Sequence, residues 1–262
     1  MPASGSRHVC GCHEFLPCMH KRDLGRLPEF DKVSRYSATR CHAAHLIVRV
    51  IKAYAGSKVG TMLDAFGGSG SDAAAFLMSG VARRIDVTEI DAGRADAIEA
   101  RLSAYAEDAG LPRSSFRVLN RGFEGLARSS YDVVFMDPPW GGPEYRTMAA
   151  VTITVARKPL GHWVRSASAS ASLVVVKIPR NYDHAKDPDV SRGAAAMFSI
   201  ESRSTGKPSF HLVVHLAGHH VVHPSSSAGL TRRPSFRTES GPFLARALRF
   251  ECPGSPGCPQ KF

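Results

Sequence analysis

Acidic residues are scarce beside basic ones in this 262-residue chain: 23 Asp and Glu stand against 34 Lys and Arg, a formal net charge of +11. Net charge governs non-specific attraction and solubility more than fold, so the deficit points to a polyanionic partner, nucleic acid first. No window approaches the roughly 18 consecutive apolar residues of a membrane-spanning helix, and no membrane role is expected. Residues 1–18 contain no apolar block that would serve as a secretory signal. The six cysteines are scattered and partly set beside histidines, which argues against a disulfide framework and for a reducing, intracellular setting, nuclear or cytoplasmic. Internal repeats are absent. What remains is an ordinary 43% of hydrophobic residues, enough for one substantial core with extensions. A monomer is expected, divided into an irregular Cys/His-rich arm (1–30), one folded domain opened by a helical lid (31–222) and a flexible basic tail (223–262). That tail has six basic and two acidic residues after Ser225.

Along the chain, Ala44, Ile47, Val48, Ile51 and Ala55 recur at helical spacing, which predicts a helix over 41–54 with one buried face. An alternation follows: strand 59–65, helix 71–79, strand 84–89, helix 92–109, and strands at 116–119 and 131–136. Strands alternating with helices imply a parallel sheet covered on both faces. The segment 145–164 reads as helical. SLVVVKI (172–178) is an apolar, β-branched run expected in a strand buried on both faces. Two further strands, 197–204 and 209–217, flank Gly206-Lys207-Pro208 and predict an antiparallel hairpin closing the sheet.

The stretch TMLDAFGGSGSDAAAF sets Asp64 at a strand end, then Gly68, Gly70 and Ala73 as G-x-G-x-x-A before a helix. A glycine turn lets backbone approach a ligand, and an acid at the end of the next strand, Glu89, suits ribose hydroxyls. Nicotinamide and S-adenosylmethionine enzymes both fit this pattern. Asp64 favours the second, because its carboxylate would attract a cationic amino-acid moiety and repel a pyrophosphate.

A second motif, DVVFMDPPWGGPEY (132–145), belongs at the carboxyl end of the fourth strand, beside the crevice where doubly wound sheets bind ligands. An exocyclic amine on a purine is a poor nucleophile because its lone pair is delocalised. Hydrogen bonds from its two N–H groups to Asp137 and the Pro138 carbonyl would aim that lone pair at a sulfonium methyl. Pro138 and Pro139 fix the carbonyl directions. Trp140 would stack on the base, and Gly141 and Gly142 would keep the wall thin. Asp137 is expected to act mainly through hydrogen bonding.

Taken together, DAFGGSG (64–70), TEID (88–91), VVFMDPPWGGPEY (133–145) and IPRN (178–181) resemble the trimethylguanosine synthases, S-adenosylmethionine-dependent cap-guanine N2 methyltransferases. The resemblance covers about 30–217, and PPWGGP is its most specific part. It implies a Rossmann-like, doubly wound, seven-stranded α/β methyltransferase sheet with a C-terminal antiparallel hairpin and an N-terminal helical lid. It also implies S-adenosyl-L-methionine as cofactor, held by Asp64, Phe66, Gly68, Gly70, Glu89, Asn120 and Thr39. Capped RNA is the implied partner. Trp140 would stack on the cationic 7-methylguanine, with Asp137 and Pro138 as the other catalytic groups, and Arg180 and Asn181 would contact cap phosphates. In EFDKVSRYSATR (29–40), Tyr36, Ser37 and Thr39 match the family's closing segment, and Lys32 or Arg35 supplies a further cationic contact. The chain departs from the family at Gly67 (usually Cys), Ser71 (usually Gly) and Asp137 (usually Ser). The acid expected after the third strand is absent, with Asn120 in its place.

The resemblance leaves two alternatives. Asp137 also fits an amino-methyltransferase acting on an internal guanine or adenine of RNA or DNA. The altered loop and missing acid fit a cap-binding protein without catalysis. Elsewhere, Cys10, Cys12, His13, Cys18 and His20 offer enough ligands for zinc, but their spacing matches no common finger, and no metal is expected. His211 and His215 share a strand face, and His219, His220 and His223 follow. They read as partly exposed side chains. Arg232, Arg233, Arg237, Arg246 and Arg249 read as a solvated tail adding salt-sensitive RNA attraction.

Overall fold

The computed structural model describes residues 15–17, 27–56, 59–126, 129–201, 208–217 and 246–248. Five helices and ten strands occur in the chain order α1 (Lys32–Ser37), α2 (Cys41–Ala55), β1 (Thr61–Asp64), α3 (Ser71–Ser79), β2 (Arg84–Glu89), α4 (Ala92–Ala109), β3 (Phe116–Asn120), β4 (Val133–Met136), β5 (Thr154–Val155), β6 (Lys158–Pro159), α5 (Leu160–Ser168), β7 (Leu173–Pro179), β8 (Ala196–Glu201), β9 (Pro208–Leu216) and β10 (Arg246–Leu248). The main sheet runs β10-β8-β9-β7-β4-β1-β2-β3. From β7 to β3 every pairing is parallel, and β9 runs antiparallel between β7 and β8.

This is the expected doubly wound sheet of seven strands with its hairpin. The edge strand β10 adds an eighth, paired parallel to β8. It comprises the described part of the segment expected to be a flexible tail. The rest of that tail, including His219, His220, His223 and the other tail arginines, lies outside the described residues.

Two apolar layers cover the faces of the sheet. Alternate residues of β7 point to opposite layers: Leu173 and Val175 join α2, α3 and α4, whereas Val174, Val176 and Ile178 join α5 and the segment before it. Phe76 of α3 meets Phe135 of β4 edge-on at 5.1 Å. All seven residues of β7 are buried, as an apolar run in a covered parallel sheet requires.

The helix expected over 145–164 is not formed. A single 3-10 turn spans Pro143–Arg146, and Val151 then pairs with Tyr182 as an isolated bridge. The hairpin β5–β6 follows, turning through Ala156 and Arg157 at φ 46° and 61°, before α5 starts at Leu160. Val151, Thr152, Ile153, Thr154 and Val155 lose rotamer freedom in a helix and favour extended backbone. Val151 and Ile153 bury their side chains by doing so. Pro159 lacks an N–H and marks the helix start instead of permitting a helix through it.

The described part of the N-terminal arm is docked. Leu16 is buried, the Tyr105 hydroxyl donates to the Pro17 carbonyl at 2.5 Å, and Phe15 meets Phe30 edge-on at 5.8 Å. Cys10, Cys12, His13, Cys18 and His20 lie outside the described residues.

Candidate active site

Strand register brings the two sequence motifs together. Asp64 pairs with Phe135 across β1 and β4, and Met136 pairs with Val176 across β4 and β7. One step beyond, at the carboxyl edge, Asp137 faces Lys177. The glycine loop leaves β1 at the same edge and enters α3 at Ser71. The turn carrying Asp137 and Trp140 is therefore neither sealed in the core nor remote from the glycines, as parallel strands deliver their following loops to one crevice.

The loop is built for close approach. The Gly67 N–H donates to the Thr88 carbonyl at 2.7 Å, and a Cβ at Gly67 would stand 2.7 Å from Val87 Cγ1 and 2.8 Å from Ile98 Cδ1. Gly68 N–H donates to Glu89 Oε2 at 2.8 Å. Glu89 Oε1 accepts from the Asp91 N–H at 2.9 Å and from Arg94 at 3.1 Å. Glu89 is thus locked beside the loop with lone pairs left on Oε2. Arg94 also reaches Asp31 at 3.5 Å, the residue capping α1, so α1 is tied to Glu89.

Asn120 donates its amide to the carbonyls of Glu89 (2.9 Å) and Ile90 (3.2 Å). Its side-chain oxygen remains an acceptor, the polarity an adenine amino group needs. Phe66 packs on Phe123 at 4.8 Å.

Asp64 is almost fully buried. Its Oδ1 accepts from the Phe66 N–H at 3.4 Å, and its Oδ2 has no partner. Burial first, then the nearby Asp72 charge, holds its carboxyl well above the usual range. An orphaned, buried carboxyl oxygen beside a glycine loop fits the ammonium of an amino-acid moiety.

Asp137 belongs to a connected polar network that sequence reading did not reveal. Lys177 Nζ donates to Asp137 Oδ2 at 2.6 Å and to Thr39 Oγ1 at 2.7 Å, and Thr39 donates to Asp72 Oδ2 at 2.6 Å. Thr39, expected to touch cofactor, instead spends its hydroxyl joining the lid to Lys177 and Asp72. Burial pushes Asp137 up to about 6, against the downward pull of Lys177. Burial works against the Lys177 ammonium, but Asp137 and Asp72 outweigh it and raise its pKa. The signal was present in the sequence: a lone lysine in a run predicted to be buried on both faces requires a carboxylate partner.

Trp140 is half-buried, edge-on to Tyr145 at 5.0 Å, with Lys177 Nζ 5.4 Å from its ring centroid. The following glycines have a backbone cause besides the one expected. A Cβ at Gly141 would meet nothing within 4 Å, but Gly141 and Gly142 sit at φ +90° and +87°. Backbone conformation by itself demands glycine there.

Arg180, Asn181, Arg146, Met148, Ala149 and His211 line an adjoining open groove of about 500 Å³. Arg180 is exposed. Asn181 donates both amide hydrogens, to the Tyr145 and Met148 carbonyls at 2.8 Å each. It therefore braces the loop after Trp140 and has no side-chain N–H left for a phosphate, which corrects its expected role. Lys32 and Tyr36 are exposed on α1, Tyr36 by 40%. The strand histidines are held by protein groups: Ser199 Oγ lies 3.0 Å from His211 Nδ1, and His215 Nε2 lies 2.9 Å from the Val190 carbonyl. His215 is buried, not partly exposed.

The fold is shared with solved methyltransferases. A protein of Porphyromonas gingivalis W83 described as a methyltransferase superposes with a TM-score of 0.54 at 14% identity, over 75% of this chain and 45% of that one. The chain thus spans less than half the length of that structure. A protein of Pyrococcus horikoshii described as an RNA methyltransferase gives 0.51 at 14% identity, over 74% of this chain and 93% of its own. The sheet and the crevice at its carboxyl edge are those of a methyltransferase fold. Residues 59–188, which contain the glycine loop, the DPPW turn and the PRN turn, match the model of the RNA cap guanine-N2 methyltransferases. By that match this part of the chain, just under half of it, is similar to the RNA cap guanine-N2 methyltransferases.

Proposed function

We propose that the protein transfers a methyl group to the exocyclic N2 amine of a 7-methylguanosine RNA cap. The observation that carries this reading is the pairing, in one four-residue turn beside the glycine loop, of a carboxylate anchored by Lys177 with a half-buried indole. When bound, S-adenosylmethionine supplies an electrophilic methyl on a sulfonium. Asp64 Oδ2 would accept from its ammonium, Glu89 Oε2 from its ribose, and Asn120 Oδ1 from its adenine amino group. Asp137 and the Pro138 carbonyl accept the two N–H groups of the acceptor amine and turn its lone pair toward the crevice. With its pKa near 6, Asp137 is ionised at pH 7 to 8 and is able to take the proton the methylated amine sheds.

Trp140 stacks on the cationic purine, a contact worth about 0.5–2 kcal/mol. Asp72 and Asp137 both bear on the Lys177 ammonium, and Asp64 is close enough to these two carboxyls to interact with them. Arg180 and Arg146 flank the groove through which cap phosphates leave, Arg180 as an exposed guanidinium suited to phosphate. Lys32 and Tyr36, on the lid, approach the substrate from the other side.

The same carboxylate favours a second reading, methylation of an internal guanine or adenine of RNA or DNA, since an acid at this position serves any aromatic amine. Mass spectrometry of 7-methylguanosine diphosphate and of an uncapped oligonucleotide, each incubated with enzyme and S-adenosylmethionine, separates the two. Methylation of the cap analogue, reduced roughly two- to thirtyfold in Trp140→Ala, is expected from losing the stacking surface. Activity confined to the uncapped strand refutes the cap reading, and unchanged turnover in the variant refutes the role of the ring.

A further inference from the structure

Lys177 lies near the carboxyl end of β7 with only 4% of its side chain exposed. One ammonium hydrogen bond goes to Asp137 Oδ2 and one to Thr39 Oγ1. Its remaining surroundings are aromatic, with Nζ 5.4 Å from the Trp140 centroid and 4.9 Å from that of Phe210. An ammonium caged in this way has no slack: moving it breaks a bond to β4, a bond to the lid, or both cation–π contacts.

We infer that Lys177 is the positioning residue of the transfer step, holding Asp137 as an oriented carboxylate with Oδ2 occupied and Oδ1 left to accept from the acceptor amine, and linking it through Thr39 to the lid. The inference rests on Asp137 acting at that amine, whether capped or uncapped. Two details support it beyond the distances. The parallel register of β4 and β7 sets residues 137 and 177 side by side, so the pair is a product of strand alignment and not of a mobile side chain. And the charged groups packed around Asp137 are otherwise acidic: Asp72 from α3 raises it, and Asp64 from β1 is close enough to interact with it. Tyr145, from the turn after Trp140, lies near enough to Lys177 to bear on it. Without the lysine, nothing among these neighbours opposes protonation of Asp137, and a protonated acid neither accepts the amine hydrogen nor takes up the proton released after methylation.

The test is a pH titration of the ligand-free protein labelled with 13C at aspartate Cγ, which needs no substrate. The resonance missing from Asp137→Asn identifies the group, and its midpoint in the wild type is expected near 6. In Lys177→Met the midpoint should rise by about one unit or more, the usual influence of an adjacent opposite charge. Lys177→Arg, which keeps the charge, should restore it. Asp72→Asn, which leaves Lys177 in place and removes a competing carboxylate, should lower it. The acid limb of kcat/KM, measured with whichever acceptor the enzyme methylates, should move with these midpoints. An unmoved midpoint in Lys177→Met overturns the inference. So does an unmoved or raised midpoint in Asp72→Asn, a variant that decides the matter if Lys177→Met does not fold. Failure of the cap reading would appear only in the choice of acceptor and would leave the titration unchanged.

Discussion

Replacing Arg101 by methionine should weaken cofactor binding as well as the fold. Arg101 is a buried guanidinium on α4 that bonds the Ser69 carbonyl at 2.5 Å and the Pro28 carbonyl at 2.8 Å, and lies 4.7 Å over the Phe30 ring. It clamps the N-terminal arm to the glycine loop. Removing it leaves two carbonyls without these partners, at about 1–3 kcal/mol each, and forfeits a cation–π contact of about 0.5–1 kcal/mol. Against this loss stands the cost of burying the cation. Burial lowers its pKa from 12.5 to about 10, which corresponds to roughly 3 kcal/mol recovered when an apolar side chain of similar length fills the space. The difference of the two sides is a loss of stability of roughly 0–4 kcal/mol in urea unfolding.

The loop gains nothing in return. Ser69 loses its anchor, and ordering the glycine turn must then be met from binding energy. A loss of about 1.5–3 kcal/mol there corresponds to a roughly ten- to hundredfold rise in the S-adenosylmethionine Kd by calorimetry. Arg101→Lys, which cannot span both carbonyls, should fall between. A variant destabilised by more than about 4 kcal/mol, or one that binds cofactor as tightly as wild type, would refute this reasoning.

Cofactor binding should release a proton at pH values above the ordinary carboxylate range, because Asp64 is held well above that range in the free protein and a bound ammonium favours its ionised form. Affinity should accordingly fall as pH drops, and calorimetry in buffers of different ionisation enthalpy should detect the release. In Asp64→Asn both effects should vanish. Asp187→Ala should destabilise the protein by about 2–4 kcal/mol in urea unfolding, since Asp187 Oδ2 accepts from the Gly161 N–H at 2.9 Å and from the buried Tyr182 hydroxyl at 2.7 Å. Tyr182→Phe, which keeps the Gly161 bond, should cost less.

Local chemistry made several elements readable from the sequence. Helix α3 and strand β2 have the expected bounds because glycine and acid punctuation surrounds strongly patterned segments. The hairpin of β8 and β9 was legible from its two apolar runs. The segment 145–164 misled because its apolar spacing suits a helix, while its β-branched residues and Pro159 decided for extended backbone. Within the site, Asp64, Gly68, Glu89, Asp137 and Trp140 stood out because each follows a strand and belongs to a recognisable turn. Thr39 and Asn181 were found as positions but not as roles: both spend their hydrogen bonds inside the protein.

The sequence alone determined which chemistry converges at the end of β1 and β4, because parallel strands send their following loops to one edge whatever the side-chain details. Only the folded structure decided the partners, since Lys177, Thr39, Asp72 and Asp137 come from four separate elements up to 138 residues apart. Which charges neutralise one another in a buried site depends on strand register and helix docking, and neither leaves a periodic trace along the chain.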